Sequence, residues 1–323
     1  MTPIDILPDD VLLAIFDFFV NYFEYLDEDR PSKEELEEWQ LLVHVCQRWR
    51  SVVFGSPRRL NLQLVCTPRT PVPDILDTWP AFPLVIQYYD DHHPISGLHN
   101  VLAALNYHDR IRRIHIEQIC EEFPWMEIHE VMQAPLPELT NLVIEANDSI
   151  EHPDPCAVLP NRFLGGSAPR LQVLNLDVDC PGLPILLSST THLVHLLLWD
   201  TFGYIASDEI VSCLSTLTSL GSLTLRILGL PPTHPPESQP LPTHTVLSAL
   251  TSFTFSGDIG YFEDMVARIT CPKLNRFSID FTDVIIDHDF HSPQLEHFIS
   301  RSRSLRAQYN WPIFHSLPSF EHV

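Results

Sequence analysis

The strongest constraint on how this 323-residue chain can fold is a spacing, apolar-x-x-apolar-x-apolar, that occurs seven times. The copies are Ile111/Ile114/Ile116, Leu139/Leu142/Ile144, Leu171/Leu174/Leu176, Leu193/Leu196/Leu198, Leu220/Leu223/Leu225, Leu250/Phe253/Phe255 and Leu274/Phe277/Ile279. Successive copies start 28, 32, 22, 27, 30 and 24 residues apart. Self-similarity at such a period marks units that bury their apolar faces by stacking on their neighbours.

Between the copies lie stretches with helical spacing, at Leu98 to Leu105, Met126 to Met132, Ile210 to Leu214, Phe262 to Ile269 and Leu295 to Ile299. Alternating strands and helices predict an α/β fold with a parallel β-sheet, wound as an irregular leucine-rich-repeat solenoid. A weaker strand is expected at Leu60-Asn61-Leu62-Gln63-Leu64 and a short one at Leu84-Val85-Ile86. In leucine-rich repeats the ninth position bonds the backbone of the turn after the strand. Here it holds Ile119, Asn147, Asp179, Thr201, Leu228, Asp258 and Thr282, of which five can form such a bond. Residues 67–83, with five prolines, read as a linker, and residues 231–242, with six, as an extended excursion.

Ahead of the repeats the pattern is helical. Leu7, Val11, Leu12, Ile15, Phe16 and Phe19 recur at three- and four-residue intervals after Pro8, which suits a first helical turn. A second apolar series, Trp39, Leu42, Val43, Cys46, Trp49 and Val53, ends at Gly55-Ser56-Pro57. Between them, Glu24 to Glu38 holds eight acidic residues against Arg30 and Lys33, an acidic insertion with a capping-box pattern at Ser32 and Glu35.

Leu7-Pro8 followed by Ile15-Phe16, then Cys46-x-x-Trp49-Arg50 and Ser56-Pro57-Arg58-Arg59-Leu60-Asn61-Leu62, resembles an F-box, most closely those of mushroom-forming fungi. The resemblance divides the chain into a helical module at 1–58 and a repeat region at 59–323. It implies a substrate-recognition subunit that binds the adaptor of an SCF-type cullin ubiquitin ligase and recruits a protein target. It also implies no active site, no cofactor and a monomer within a hetero-complex. Leu7, Pro8, Leu12, Ile15 and Phe16 are the residues expected to touch the adaptor, with Trp49 holding the module together. The alternative reading is a leucine-rich-repeat scaffold in which the helices only cap the end and no ligase is joined.

Composition narrows the partners. A net charge of −23 repels polyanions, which disfavours nucleic acid. No 18-residue apolar run escapes interruption, which disfavours a membrane span, and Met1 to Asp5 lacks the basic start of a secretory leader, so cytosol or nucleus is expected. The cysteines at 46, 66, 120, 156, 180, 213 and 271 form no Cys-x-x-Cys and read as buried free thiols. His288 and His291, and Tyr88 to Pro94, read as polar loops, so no metal is expected. Gly165-Gly166-Ser167 reads as a turn, and a hydrolase would require Ser, His and a carboxylate brought within hydrogen-bond reach. Lysine occurs only at 33 and 273, against 17 arginines.

Recognition is the remaining task. Side chains of a strand alternate between its faces, so Asp177, His195, Leu197, Trp199 and Arg226 share the face turned away from the core. His195, Leu197 and Trp199 form an apolar island flanked by charge. That composition predicts target contact centred on an exposed Trp199.

Overall fold

The computed structural model describes residues 6–20, 36–89, 97–119, 125–146, 158–178, 180–199, 205–227, 244–281, 293–301 and 306–309. The chain forms two compact units, Met1–Val131 and Met132–Val323. The acidic insertion up to residue 35, the proline run 231–242, His288 and His291 lie outside the described residues.

Unit 1 opens with α1 (Asp9–Val20), α2 (Trp39–Val43) and α3 (Gln47–Gly55). The second apolar series is therefore two helices. The break falls at Cys46, whose extended backbone and Sγ make it the N-cap of α3, accepting the Trp49 amide at 3.5 Å. Three parallel strands follow in the order β1 (Leu64–Cys66), β2 (Leu84–Tyr88), β3 (Ile111–Ile119). The predicted strand at Leu60 starts at Leu64 instead, because Asn61 takes a left-handed φ of 47° in a turn closed by the Leu60 and Leu62 amides on the carbonyls of Ser56 and Pro57.

The proline-rich stretch expected to be a linker contains α4 (Val72–Thr78), with Pro73 in its first turn, where a missing N–H costs nothing. α5 (Leu98–Leu105) buries Leu98, Val101, Ala104 and Leu105 and packs on β1 and β2, and α6 (Trp125–Val131) packs on α5.

Across the boundary expected at 58/59 the helices pack directly on the first strands. Trp39 is fully buried, with its ring centroid 5.1 Å from Trp79 and 5.4 Å from Phe82, and its Nε1 donates to the Gln63 carbonyl at 3.1 Å. Glu37 Oε1 accepts the Val65 amide at 2.7 Å, satisfying a backbone donor of β1. The helices and the first strands thus share one aromatic core, and the compact division falls at 131/132.

Unit 2 is built on a seven-stranded parallel sheet in the order β4 (Asn141–Ala146), β5 (Val173–Leu176), β6 (His195–Leu198), β7 (Ser222–Ile227), β9 (Ser252–Gly257), β11 (Arg276–Phe281), β12 (Arg306–Tyr309). A two-stranded pair, β8 (Thr245–Val246) with β10 (Ile269–Thr270), stands apart from it. A 3₁₀ turn at Phe163–Gly166 precedes β5, as expected of the glycines there. Helices α7 (Leu183–Ser189), α8 (Ser207–Leu214), α9 (Ile259–Val266) and α10 (Pro293–Arg301) fill the crossovers, and each packs on the next.

Every residue of the seven apolar triplets is buried. In β7 and β9 the alternate positions are half exposed, so the sheet covers its core with one face and leaves the other accessible. Phe253, Phe255, Phe262 and Phe277 stack in the core at centroid distances of 4.9 to 6.2 Å. Gly257 closes β9 at φ 149°, where a Cβ would stand 2.4 Å from the Ile227 carbonyl oxygen.

Of the seven ninth positions only Asp258 has a described side chain, and it caps α9 by accepting the Tyr261 amide at 2.7 Å. Four of the five cysteines described, Cys66, Cys180, Cys213 and Cys271, are buried. Cys46 is exposed, against expectation, because it stands at a helix start. Burial pushes the Cys213 thiol up to about 11, helped by the Glu209 carboxylate, and burial pushes Cys271 up to about 12. No helix among the described residues is long and apolar enough to cross a membrane.

Candidate functional site

Each unit carries one candidate surface. In unit 1 it is the outer side of α1. The Val11 and Leu12 amides donate to the Pro8 carbonyl at 3.1 and 3.0 Å, and Asp9 and Asp10 place negative charge at the positive helix end. The helix turns Leu12 and Phe16 inward. Both are buried, and the Phe16 ring lies 4.7 Å from that of Trp49, which is half buried between the helices.

Two of the residues expected to meet an adaptor are therefore packing residues. Leu12, 0% exposed, and Phe16, 1% exposed, cannot reach a partner without unfolding α1. Of the other three, Pro8 is exposed, Leu7 is half buried and Ile15 is 46% exposed. The accessible stripe runs through Val11, Ile15, Phe18 and Phe19, with Ile6 ahead of it. Phe18 is 72% and Ile6 73% exposed. Phe18 and Ile6 were not legible as outward residues, because α1 is apolar on both sides and periodicity does not say which side the protein keeps. In α2 and the turn after it, Leu41 and Val45 also expose their side chains, one helical turn apart.

In unit 2 the candidate is the accessible sheet face. The in-register pairs Val173↔His195↔Ser222↔Ser252↔Arg276 form one row across it, and Asn175↔Leu197↔Thr224↔Thr254↔Ser278 form the next. Trp199 follows β6, its amide donating to the Leu176 carbonyl at 2.8 Å, and the Arg226 guanidinium sits 5.2 Å above the centre of its ring. His195 is exposed, while Leu197, Asp177 and Arg226 are half buried. The structure therefore gathers the five target-face residues on one face.

Trp199 itself is half buried, not exposed, because Arg226 lies over its ring, and its Nε1 is buried without an acceptor among the described residues. Asn175 Nδ2 donates to Glu145 Oε1 at 2.6 Å, so an amide and a carboxylate border this face on the β4 side.

Within unit 1 a second polar group was missed by sequence reasoning. Tyr89 Oη lies 3.4 Å from His115 Nδ1, and His115 Nε2 lies 3.7 Å from Glu117 Oε1. Both separations exceed those of a working nucleophile–base–carboxylate chain, and the hydroxyl belongs to Tyr, not Ser. Burial lowers the pKa of His129, on α6.

Set against known proteins, the chain matches no protein-family model and no curated protein.

Proposed function

We propose that this protein is an F-box-type substrate-recognition subunit. Its N-terminal helices recruit the adaptor of an SCF-type cullin ubiquitin ligase, and the accessible sheet face of an irregular leucine-rich-repeat solenoid binds a protein target. The observation that carries the reading is the stripe Val11, Ile15, Phe18 and Phe19, which is solvent-facing although the helix buries a second apolar stripe beneath it. Covering such an apolar stripe removes its surface from water and drives association. The resemblance of Leu7-Pro8 and Cys46-x-x-Trp49 to an F-box supports the reading, and these residues stand at the start of α1 and at the N-cap of α3. The chain itself is read as non-catalytic and as working in the cytosol or nucleus.

The test is co-purification with the adaptor subunit. The unaltered chain should capture it, and an Ile15→Ala, Phe18→Ala variant that keeps its thermal stability should not. Capture by that variant at unchanged affinity would remove the adaptor from the account.

One observation favours the scaffold reading. The helices already have a task within unit 1, since Trp39 and Glu37 close the end of the sheet at Gln63 and Val65. The same co-purification separates the two, because an end cap alone captures no adaptor.

A further inference from the structure

The start of α3 ties the first three helices of unit 1 together through consecutive side chains. Arg48 reaches α1, where its Nε donates to Asp9 Oδ1 at 3.0 Å and its Nη2 donates to the same oxygen at 2.6 Å and to the Leu7 carbonyl. Trp49 meets Phe16 on the buried side of α1. Arg50 turns the other way, its Nε donating to the Val43 carbonyl at 3.0 Å, at the end of α2. A guanidinium holds its acceptors at fixed angles, which an ammonium on a flexible stem does not. Arg48 therefore fixes two things at once, the turn at Leu7 and the rotation of α1 about its axis. Val11 and Ile15 stand one residue, about 100°, around α1 from Leu12 and Phe16, so that rotation decides where Val11, Ile15 and Phe18 point.

We infer that Arg48 is a positioning residue for the docking stripe, holding α1 in the orientation the partner meets. The inference rests on the adaptor reading above, and it assigns a task to a side chain within the Cys46-x-x-Trp49 interval that buries no apolar surface for the partner. A stripe already held in its bound geometry loses less freedom on association, so loosening the clasp weakens binding without removing any contact made to the adaptor.

The experiment uses the full chain with Arg48→Gln and Arg48→Lys. On the chain alone, hydrogen–deuterium exchange at the Val11 and Leu12 amides should rise roughly tenfold in Arg48→Gln, while the amides of β5 to β7 keep their protection. Affinity for the purified adaptor subunit should fall roughly tenfold in Arg48→Gln and by less in Arg48→Lys. Combined with Ile15→Ala, the loss should be smaller than the product of the separate losses, since a displaced stripe no longer presents Ile15. Unchanged exchange at Val11 and Leu12, a rise spread evenly over unit 1, or strictly multiplicative losses would each overturn the inference. Failure of the unaltered chain to bind the adaptor overturns the adaptor reading instead, and the exchange measurement still decides whether the clasp holds α1.

Discussion

The two apolar stripes of α1 allow stability and binding to be separated by single substitutions at Leu12 and Phe18, on different sides of the helix. Leu12 is 0% exposed, so Leu12→Ala opens a cavity and should cost about 2–5 kcal/mol of folding stability. For a unit of this size that lowers Tm on the order of 10 °C. Phe18 is 72% exposed, so Phe18→Ala opens no cavity, and its cost to stability should stay well below that of Leu12→Ala.

The adaptor, however, would cover that exposed ring. Complete burial of a Phe side chain is worth at most about 3 kcal/mol, and 72% of that is about 2 kcal/mol, or roughly 30-fold in Kd. Differential scanning calorimetry and titration calorimetry on the same two samples read both quantities. The reasoning is refuted if Phe18→Ala lowers Tm as much as Leu12→Ala does, or if it binds the adaptor as the parent chain does. The same contrast rules out a Pro8→Ala, Leu12→Ala double variant as a test of binding, because its loss of capture would follow from loss of fold.

Other consequences can be checked directly. Trp199→Ala, with Tm unchanged within a few degrees, should weaken capture of the target protein by roughly tenfold or more in a pull-down series, as loss of a half-buried aromatic anchor does; retention of affinity would move target contact off this face. Cys213 and Cys271 should resist alkylation at pH 8 until unfolding, while Cys46 reacts first. Their folded pKa values lie above the ordinary 9.0, so the folded state holds these protons longer than the unfolded one. Their contribution is therefore intact below pH 9, and stability should fall as pH rises from 9 toward 12, seen as a falling urea midpoint. With Lys33 and Lys273 as the only lysines, the chain should be a poor acceptor of ubiquitin in a reconstituted ligase. Arg58→Lys with Arg276→Lys, both exposed, should raise the rate, and an unchanged rate would show that lysine supply does not limit it.

β4, β5, β6, β7, β9 and β11 of unit 2 could be read from sequence because each repeats one demand, that alternate apolar residues enter a shared core, and every residue of their triplets is buried, whereas β8, β10 and β12 carry no such triplet and were missed. Local backbone chemistry was harder to read. Leu60-Asn61-Leu62 alternates like a strand, yet Asn61 adopts a positive φ and the chain turns there. Pro73 suggested a linker but sits in the one helical turn that tolerates it. α7 escaped notice because Leu183, Leu186 and Leu187 span little more than one turn. The ridge on α1 was legible as apolar, while its orientation was not, since Leu12/Phe16 and Val11/Ile15 are one residue out of phase and equally greasy. Which set faces inward is decided by Trp49, 33 residues downstream of Phe16.

The indole of Trp39 has a practical outcome for anyone dissecting the protein. Cutting the chain near residue 60 would strip Trp79 and Phe82 of their neighbour and leave the amide of Val65 without the carboxylate that now receives it. A truncated remainder would be prone to aggregate through that newly bared margin, and losing a partner in such an experiment would say nothing about recruitment. Point changes on the outer surface of α1 leave this margin covered and report on recruitment alone.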